Sequence, residues 1–123
     1  MRYVLAHRRP GDVVMVSPSA TYAFADYWPD RPTTLVAEPG KPVRYRFAYP
    51  GRPDVVIADW DDPELATVAA RAPRLWIVRI HVYPGVEARW RKATRKLGRV
   101  RSPVPGLLLV RPEHHGQTGR GQA

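Results

Sequence analysis

Four polar side chains stand where apolar segments of the sequence end, and they include the residue types of a hydrolytic triad. Ser17 and Ser19 follow DVVMV, Asp59 follows VVIA, and His81 follows LWIVRI. A hydroxyl, a carboxylate and an imidazole at one edge of a sheet could carry out acyl transfer. However, VSPSAT lacks the glycines of a Gly-x-Ser-x-Gly nucleophile turn, and a helix N-cap at Ser19 explains the same residues. We therefore predict no catalytic residue.

The same edge is a candidate binding site for a small anion. In an open parallel sheet, ligands bind beyond the carboxyl ends of the strands, where helix N-termini also point. Neither GxGxxG nor GxxxxGK[ST] follows the first strand, which argues against a dinucleotide site and a P-loop. A nucleotide or sugar phosphate held by other contacts is left as a hypothesis. The candidate ligand-binding residues are Ser17, Ser19, Tyr22, Asp59, Trp60 and His81.

Metal and thiol chemistry have little support in the sequence. The chain has no cysteine, which excludes disulfides, thiol catalysis and cysteine-based zinc sites. His114 and His115 are adjacent but have no third ligand at metal-site spacing. We expect no metal ion and no cofactor. No apolar run approaches the roughly 18 residues of a membrane span, so the sequence taken alone predicts a soluble chain.

These polar residues are placed by alternating strand and helix patterns. Short apolar runs predict buried strands, and the period-two alternation of VRYRFAY predicts a strand with one exposed face. Helices are predicted where apolar residues recur at helical spacing after a capping residue or proline. The predicted strands are 12–17, 33–38, 43–49, 54–60, 74–82 and 106–112, and the predicted helices are 19–28, 62–73 and 85–98. This order predicts a three-layer α/β sandwich with a mostly parallel, Rossmann-like sheet of about six strands.

One domain accounts for these elements. A chain of 123 residues is long enough for one hydrophobic core and too short for two. We assign residues 1–111 to this domain. The remaining segment, PEHHGQTGRGQA at 112–123, has no apolar periodicity and is rich in Gly and Gln, so it is predicted to be a disordered tail.

Positive charge is concentrated in the second half of the chain. The formal net charge is +9, and twelve of the twenty Lys and Arg but only two of the eleven Asp and Glu follow Glu64. Such a field favours anionic lipid or nucleic acid, but a GC-rich genome would also produce an arginine-rich surface. Without RNP aromatics or a zinc finger, nucleic acid is disfavoured. The candidate membrane or polyanion contacts, predicted on one helix face, are Arg91, Lys92, Arg95, Lys96 and Arg99.

Four segments of the sequence resemble one family of membrane enzymes. YVLAHRRPGDVVMVSPSATYAFADYW resembles the segment that follows the last transmembrane helix of bacterial, especially actinobacterial, polytopic glycosyltransferases of the dolichyl-phosphate-mannose-protein mannosyltransferase type. RLWIVRIHV, VEARWRKATRKLG and GLLLVR are similar to later elements of the same domain. The resemblance spans residues 3–111.

The resemblance implies a noncatalytic accessory domain at the extracytoplasmic face of the cell membrane. The parent enzyme would transfer sugar from a polyprenyl-phosphate donor, and this domain would help to position acceptor or donor. The family's acidic catalytic residues lie in loops that this sequence lacks, so none is carried over. The implied partners are the membrane-embedded part of the same protein and an anionic lipid surface. A free-standing module, in contrast, would be cytoplasmic.

Overall fold

The computed structural model describes residues 2–29, 34–38, 41–48, 53–80 and 83–113. Its elements follow the chain in an α/β arrangement, which confirms the predicted fold class. They are α1 (Arg2–His7), β1 (Val13–Val16), a 3-10 turn (Pro18–Ala20), α2 (Thr21–Tyr27), β2 (Thr34–Glu38), β3 (Lys41–Ala48), β4 (Val55–Ile57), α3 (Glu64–Ala69), β5 (Leu75–Val78), α4 (Pro84–Arg95), β6 (Gly98–Arg101) and β7 (Leu107–Pro112).

The main sheet has five strands in the order β4-β1-β5-β7-β6, and it is mixed. Strands β4, β1 and β5 are parallel, whereas β7 is antiparallel to both β5 and β6. The prediction of a mostly parallel sheet of about six strands is therefore wrong. Only residues 102–106 join β6 to β7, and a parallel crossover needs about a dozen residues or more. These two strands consequently form a hairpin, in which Gly106 has a positive φ of 81°.

The sequence patterns also miss two elements and misplace a pair of strands. Helix α1 is too short to show a helical period. Strand β6 is not predicted either: the preceding helix is predicted to end at Gly98, and Arg99 is assigned to its basic face. Strands β2 and β3 are present, but within the described part of the chain they pair only with each other, in a separate antiparallel sheet. Without these two strands and with β6 added, the predicted six strands become the five of the main sheet.

Helices cover both faces of the main sheet. Alternate residues of a strand point to opposite faces, so Trp76 and Ile77 of β5 belong to different halves of the core. Trp76 packs in a cluster with Val4 of α1 and Phe24 of α2. Ile77 packs on the other side with α3 and with Trp90 of α4. The residues Leu65, Val68, Ala69 and Ala72 recur at helical spacing in the sequence, and all four are buried, the last just beyond the end of α3.

Two residues are predicted to cap helices: Asp62, which precedes Pro63 in DPE, and Ser19. Asp62 accepts a hydrogen bond from the backbone N–H of Glu64, the first residue of α3, at 3.0 Å. Ser19, in contrast, is not an N-cap: it lies within the 3-10 turn, and α2 begins at Thr21 without a side-chain cap. Pro18 has the φ that suits the first position of a helical turn, and the Thr21 hydroxyl donates back to its carbonyl at 3.2 Å.

Candidate functional site at the carboxyl ends of the strands

The carboxyl ends of β1 and β5 meet where the chain leaves the sheet in opposite directions. From β1 the chain continues to α2 on one face, and from β5 it continues to α4 on the other. The backbone N–H of Ser17 donates to the carbonyl of Val78 at 3.0 Å, so the two strand ends are held together. In open α/β sheets, the crevice at such a divergence is where ligands bind.

A cavity of about 550 Å³ opens at this end of the sheet, between α1, α2, the end of β5 and the β6–β7 turn. We call it the rim pocket. Its volume falls within the roughly 300–1,000 Å³ of small-molecule sites. Tyr3 and Tyr27 supply aromatic surface, whereas Phe24 of the lining is buried. Arg2 is the exposed charged residue in the lining, since the side chain of Arg79 is almost fully buried. The rim pocket therefore suits a mainly apolar ligand with a negative group.

The predicted rim residues do not form the wall of this pocket. Ser17 is buried, and its hydroxyl lies 3.3 Å from that of Ser19. Asp59 follows β4, the neighbour of β1, and its carboxylate accepts a hydrogen bond from the backbone N–H of Trp60 at 2.9 Å. Among the described residues no hydrogen bond joins Asp59 to either serine, and none of these four residues lines the pocket.

The remaining predicted ligand contacts are only partly placed. His81 lies outside the described residues, so its part in a triad or ligand site stays a prediction. Tyr22 lies on α2, but its side chain is not described. The indole of Trp60 lies below the guanidinium of Arg89, 5.2 Å from the ring centre. Trp60 is thus engaged in a cation–π contact with α4.

A buried arginine at the rim is absent from the sequence prediction. The side chain of Arg79, just after β5, is 2% exposed and forms an ion pair with Glu87 in the first turn of α4. Its Nε is buried without a hydrogen-bond partner among the described residues. Burial would raise the pKa of Glu87, but hydrogen bonds from Arg91 and Arg79 hold it below its ordinary value. A charged residue directly after the apolar run LWIV is the signal that could have identified Arg79.

The five basic residues predicted for one helix face do not share a surface. Arg91 is half-buried and donates to Glu87 at 2.8 Å. Arg99 lies on β6, because α4 ends at Arg95. Lys92, Arg95 and Lys96 are exposed around the end of α4. Only these last three remain as a basic surface at the position that the helical pattern predicts.

A second buried ion pair lies at the opposite end of the strands. The carboxylate of Asp12, just before β1, accepts hydrogen bonds from Arg74 at 2.7 Å and from the indole Nε1 of Trp76 at 2.9 Å. Arg74 also donates to the carbonyl of His7, the last residue of α1. Burial raises the pKa of Asp12, but the bonds from Arg74 and Trp76 outweigh it and hold the pKa below the ordinary value. This cluster fixes α1, which forms one wall of the rim pocket.

Other kinds of site find no support in the described part of the chain. No group of three His, Asp or Glu is placed there to hold a metal ion. None of the described helices has the length and apolar character to cross a membrane.

Comparison with known protein families, with curated proteins and with solved structures found no match. The family resemblance of the sequence consequently stays a prediction, and function is argued from the pocket and its residues.

Proposed function

We propose that this chain is a noncatalytic domain of a membrane-bound glycosyltransferase, and that it holds an amphiphilic, lipid-linked molecule in the rim pocket. The apolar lining of that pocket carries the proposal. Each methylene that leaves water contributes about 0.8 kcal/mol, so an isoprenoid chain gains more from the wall than a free sugar does. The exposed guanidinium of Arg2 in the lining suits the phosphate of such a molecule.

The resemblance of residues 3–111 to the outer domain of polyprenyl-phosphate-dependent transferases supports the biological setting. In that setting the domain lies at the extracytoplasmic face of the cell membrane, beside the membrane-embedded part of the same protein. Its task is to position the lipid-linked donor or the acceptor, while the chemistry takes place elsewhere. Nucleic acid has no part in this proposal.

A second candidate function is a free-standing module that binds a nucleotide or a sugar phosphate. The observation that favours it is the pair of hydroxyls of Ser17 and Ser19, 3.3 Å apart at the carboxyl rim of the sheet. Hydroxyls at this rim can donate to phosphate oxygens. This function needs no apolar chain on the ligand, which separates it from the first.

The test is calorimetric titration of the 123-residue protein with farnesyl phosphate below its micelle concentration. Mannose 1-phosphate and farnesol serve as the polar and apolar halves of that ligand. Saturable binding of farnesyl phosphate, at least tenfold tighter than binding of mannose 1-phosphate, supports the proposal. Equal binding of the two phosphates supports the second function instead, and absence of saturable binding to any probe overturns both.

Two exposed tyrosines provide a matched pair of variants. Tyr27 lines the rim pocket and is 63% exposed, whereas Tyr83, before α4, is 71% exposed and lies outside the lining. We expect Tyr27→Ala to weaken farnesyl phosphate binding about tenfold, because it removes aromatic surface from the wall. Tyr83→Ala should leave the affinity unchanged. An equal effect of the two substitutions would place the ligand outside the rim pocket.

A further inference from the structure

Strands β6 and β7 bring three arginines onto one face of the sheet. In the register of this hairpin, Arg99 lies directly opposite Arg111, and Arg101 lies opposite Leu109. Since alternate residues of a strand share a face, all four side chains belong to the same side. The three arginines and Leu109 line a groove of about 500 Å³, which we call the arginine groove.

The arginines of this groove are not neutralised by the described part of the chain. All three are exposed, and the ion pairs formed there use Arg8, Arg74, Arg79 and Arg91 instead. Side chains directly opposite on antiparallel strands have Cβ atoms about 4.5–5.5 Å apart, and like charges at such positions destabilise the pair. An arrangement that costs stability and leaves three guanidinium groups together is typical of a site for an anion.

The surroundings favour a compact anion with several oxygens. Leu109 is 1% exposed and belongs to the core cluster on the α1 and α2 side, so it marks where the groove meets the core. A guanidinium group donates two parallel hydrogen bonds to a carboxylate or phosphate. Two facing guanidinium groups with a third beside them offer more N–H donors than the two oxygens of one carboxylate can accept. A phosphate dianion has enough oxygen atoms to accept hydrogen bonds from all three.

We infer that the arginine groove binds a phosphate group, carried by a soluble molecule or by a lipid headgroup. The inference is independent of the proposed function, because the arginine groove and the rim pocket share no lining residue. A soluble phosphate compound and a lipid headgroup differ in the group attached to the phosphate. A soluble probe and a membrane probe therefore distinguish these two ligands. Pyrophosphate represents the first, and phosphatidylcholine vesicles containing phosphatidic acid represent the second.

The soluble arm is calorimetric titration of the full chain with pyrophosphate at constant ionic strength. The groove variant is Arg99→Gln with Arg111→Gln. The control is Lys92→Gln with Lys96→Gln, which removes the same charge from the exposed end of α4. We expect one saturable site in the wild type, at least tenfold weaker binding in the groove variant, and less than a twofold change in the control.

The membrane arm is cosedimentation of the same three proteins with vesicles, with and without phosphatidic acid. Binding that requires phosphatidic acid and is lost only in the groove variant assigns the phosphate to a lipid. Absence of binding in both arms overturns the inference, as does an equal loss of binding in the groove and control variants. The single substitution Arg101→Gln repeats both arms if the double variant lowers the melting temperature.

Discussion

At the scale of single residues, Asp12 depends most on its neighbours. A buried charge costs several kcal/mol unless it is paired and hydrogen-bonded. Asp12 meets this demand through Arg74, the indole of Trp76 and the backbone N–H of Arg9. The same Arg74 reaches the carbonyl of His7, so one ion pair joins α1 to the strands. Loss of this ion pair would destabilise the core and would also detach α1, which forms one wall of the rim pocket.

Asp12→Asn tests this pair, and its effect should depend on pH. The pKa of Asp12 in the folded protein lies below its ordinary value of 3.8, so the unfolded chain takes up this proton first as the pH falls. The stabilisation is therefore complete above the unfolded pKa and is lost as the pH falls through the folded one. At neutral pH we expect Asp12→Asn to lower the free energy of unfolding by about 3–5 kcal/mol, because Arg74 loses its counterion.

Urea unfolding of wild type and variant between neutral pH and about pH 2 measures the difference. The difference in unfolding free energy between wild type and variant should become smaller as the pH falls below about 4, where the carboxyl group of Asp12 in the unfolded chain becomes protonated. Asp26→Asn, on the exposed side of α2, should change stability by no more than about 0.5 kcal/mol. If this difference in unfolding free energy stays constant over the whole pH range, the charge of Asp12 does not contribute to stability.

At the scale of elements, the β6–β7 hairpin depends on a close approach of two backbones. Gly98, the first residue of β6, lies opposite Pro112. A Cβ at this position would overlap the carbonyl oxygen of Arg111 and lie 2.8 Å from the Cα of Pro112. Both obstacles are backbone atoms, so they cannot move aside as a flexible side chain would. The hairpin carries the arginine groove, and its register therefore decides whether that groove exists.

Gly98→Ala should accordingly destabilise the protein by about 1–3 kcal/mol, the usual cost of overpacking. Gly85→Ala is the matched control, because a Cβ at Gly85 in α4 meets no atom within 4 Å. That change should instead stabilise the protein by about 0.5–1 kcal/mol, since alanine is the better helix former. Thermal unfolding followed by circular dichroism compares the two. Equal melting temperatures of the two variants would mean that β6 moves to accommodate the added Cβ without loss of stability.

At the scale of the whole molecule, the net charge of +9 and its concentration after Glu64 set the electrostatic free energy. A compact chain of high net charge repels itself. Salt screens this repulsion, since the Debye length falls from about 30 Å at 0.01 M to about 8 Å at 0.15 M. Positive charges that face each other, such as those of Arg99 and Arg111, should respond most strongly.

We therefore expect sodium chloride to raise the free energy of unfolding between about 0.01 M and 0.15 M. The Arg99→Gln and Arg111→Gln double variant should gain less, by about 0.2–1 kcal/mol, because its cross-strand repulsion is already gone. Urea unfolding at each salt concentration measures both gains. A wild type that loses stability as salt is added would indicate that attractive ion pairs outweigh the repulsion.

Features that depend on residues close together in the chain can be predicted from the sequence. The apolar runs predict strands β1, β4, β5 and β7, and Asp62 with its following stripe predicts α3, because burial and capping leave a local pattern. Residues that line a ligand-binding pocket were harder to predict from the sequence. Ser17 and Asp59 are correctly expected beyond strand ends. The rim pocket, however, combines predicted strand residues such as Val78 with residues of α1, a helix that no sequence pattern identifies.

How these elements pack together, in contrast, follows from contacts that no local pattern records. The direction of β7, the separation of β2 and β3 from the main sheet, and the position of α1 all depend on contacts between residues far apart in the chain. For the same reason Arg99 was predicted on a helix but lies opposite Arg111 on a strand. Strand pairing adds together small energies over a whole interface, so a charged residue in a short segment acquires its neighbours, and its function, only when the chain folds.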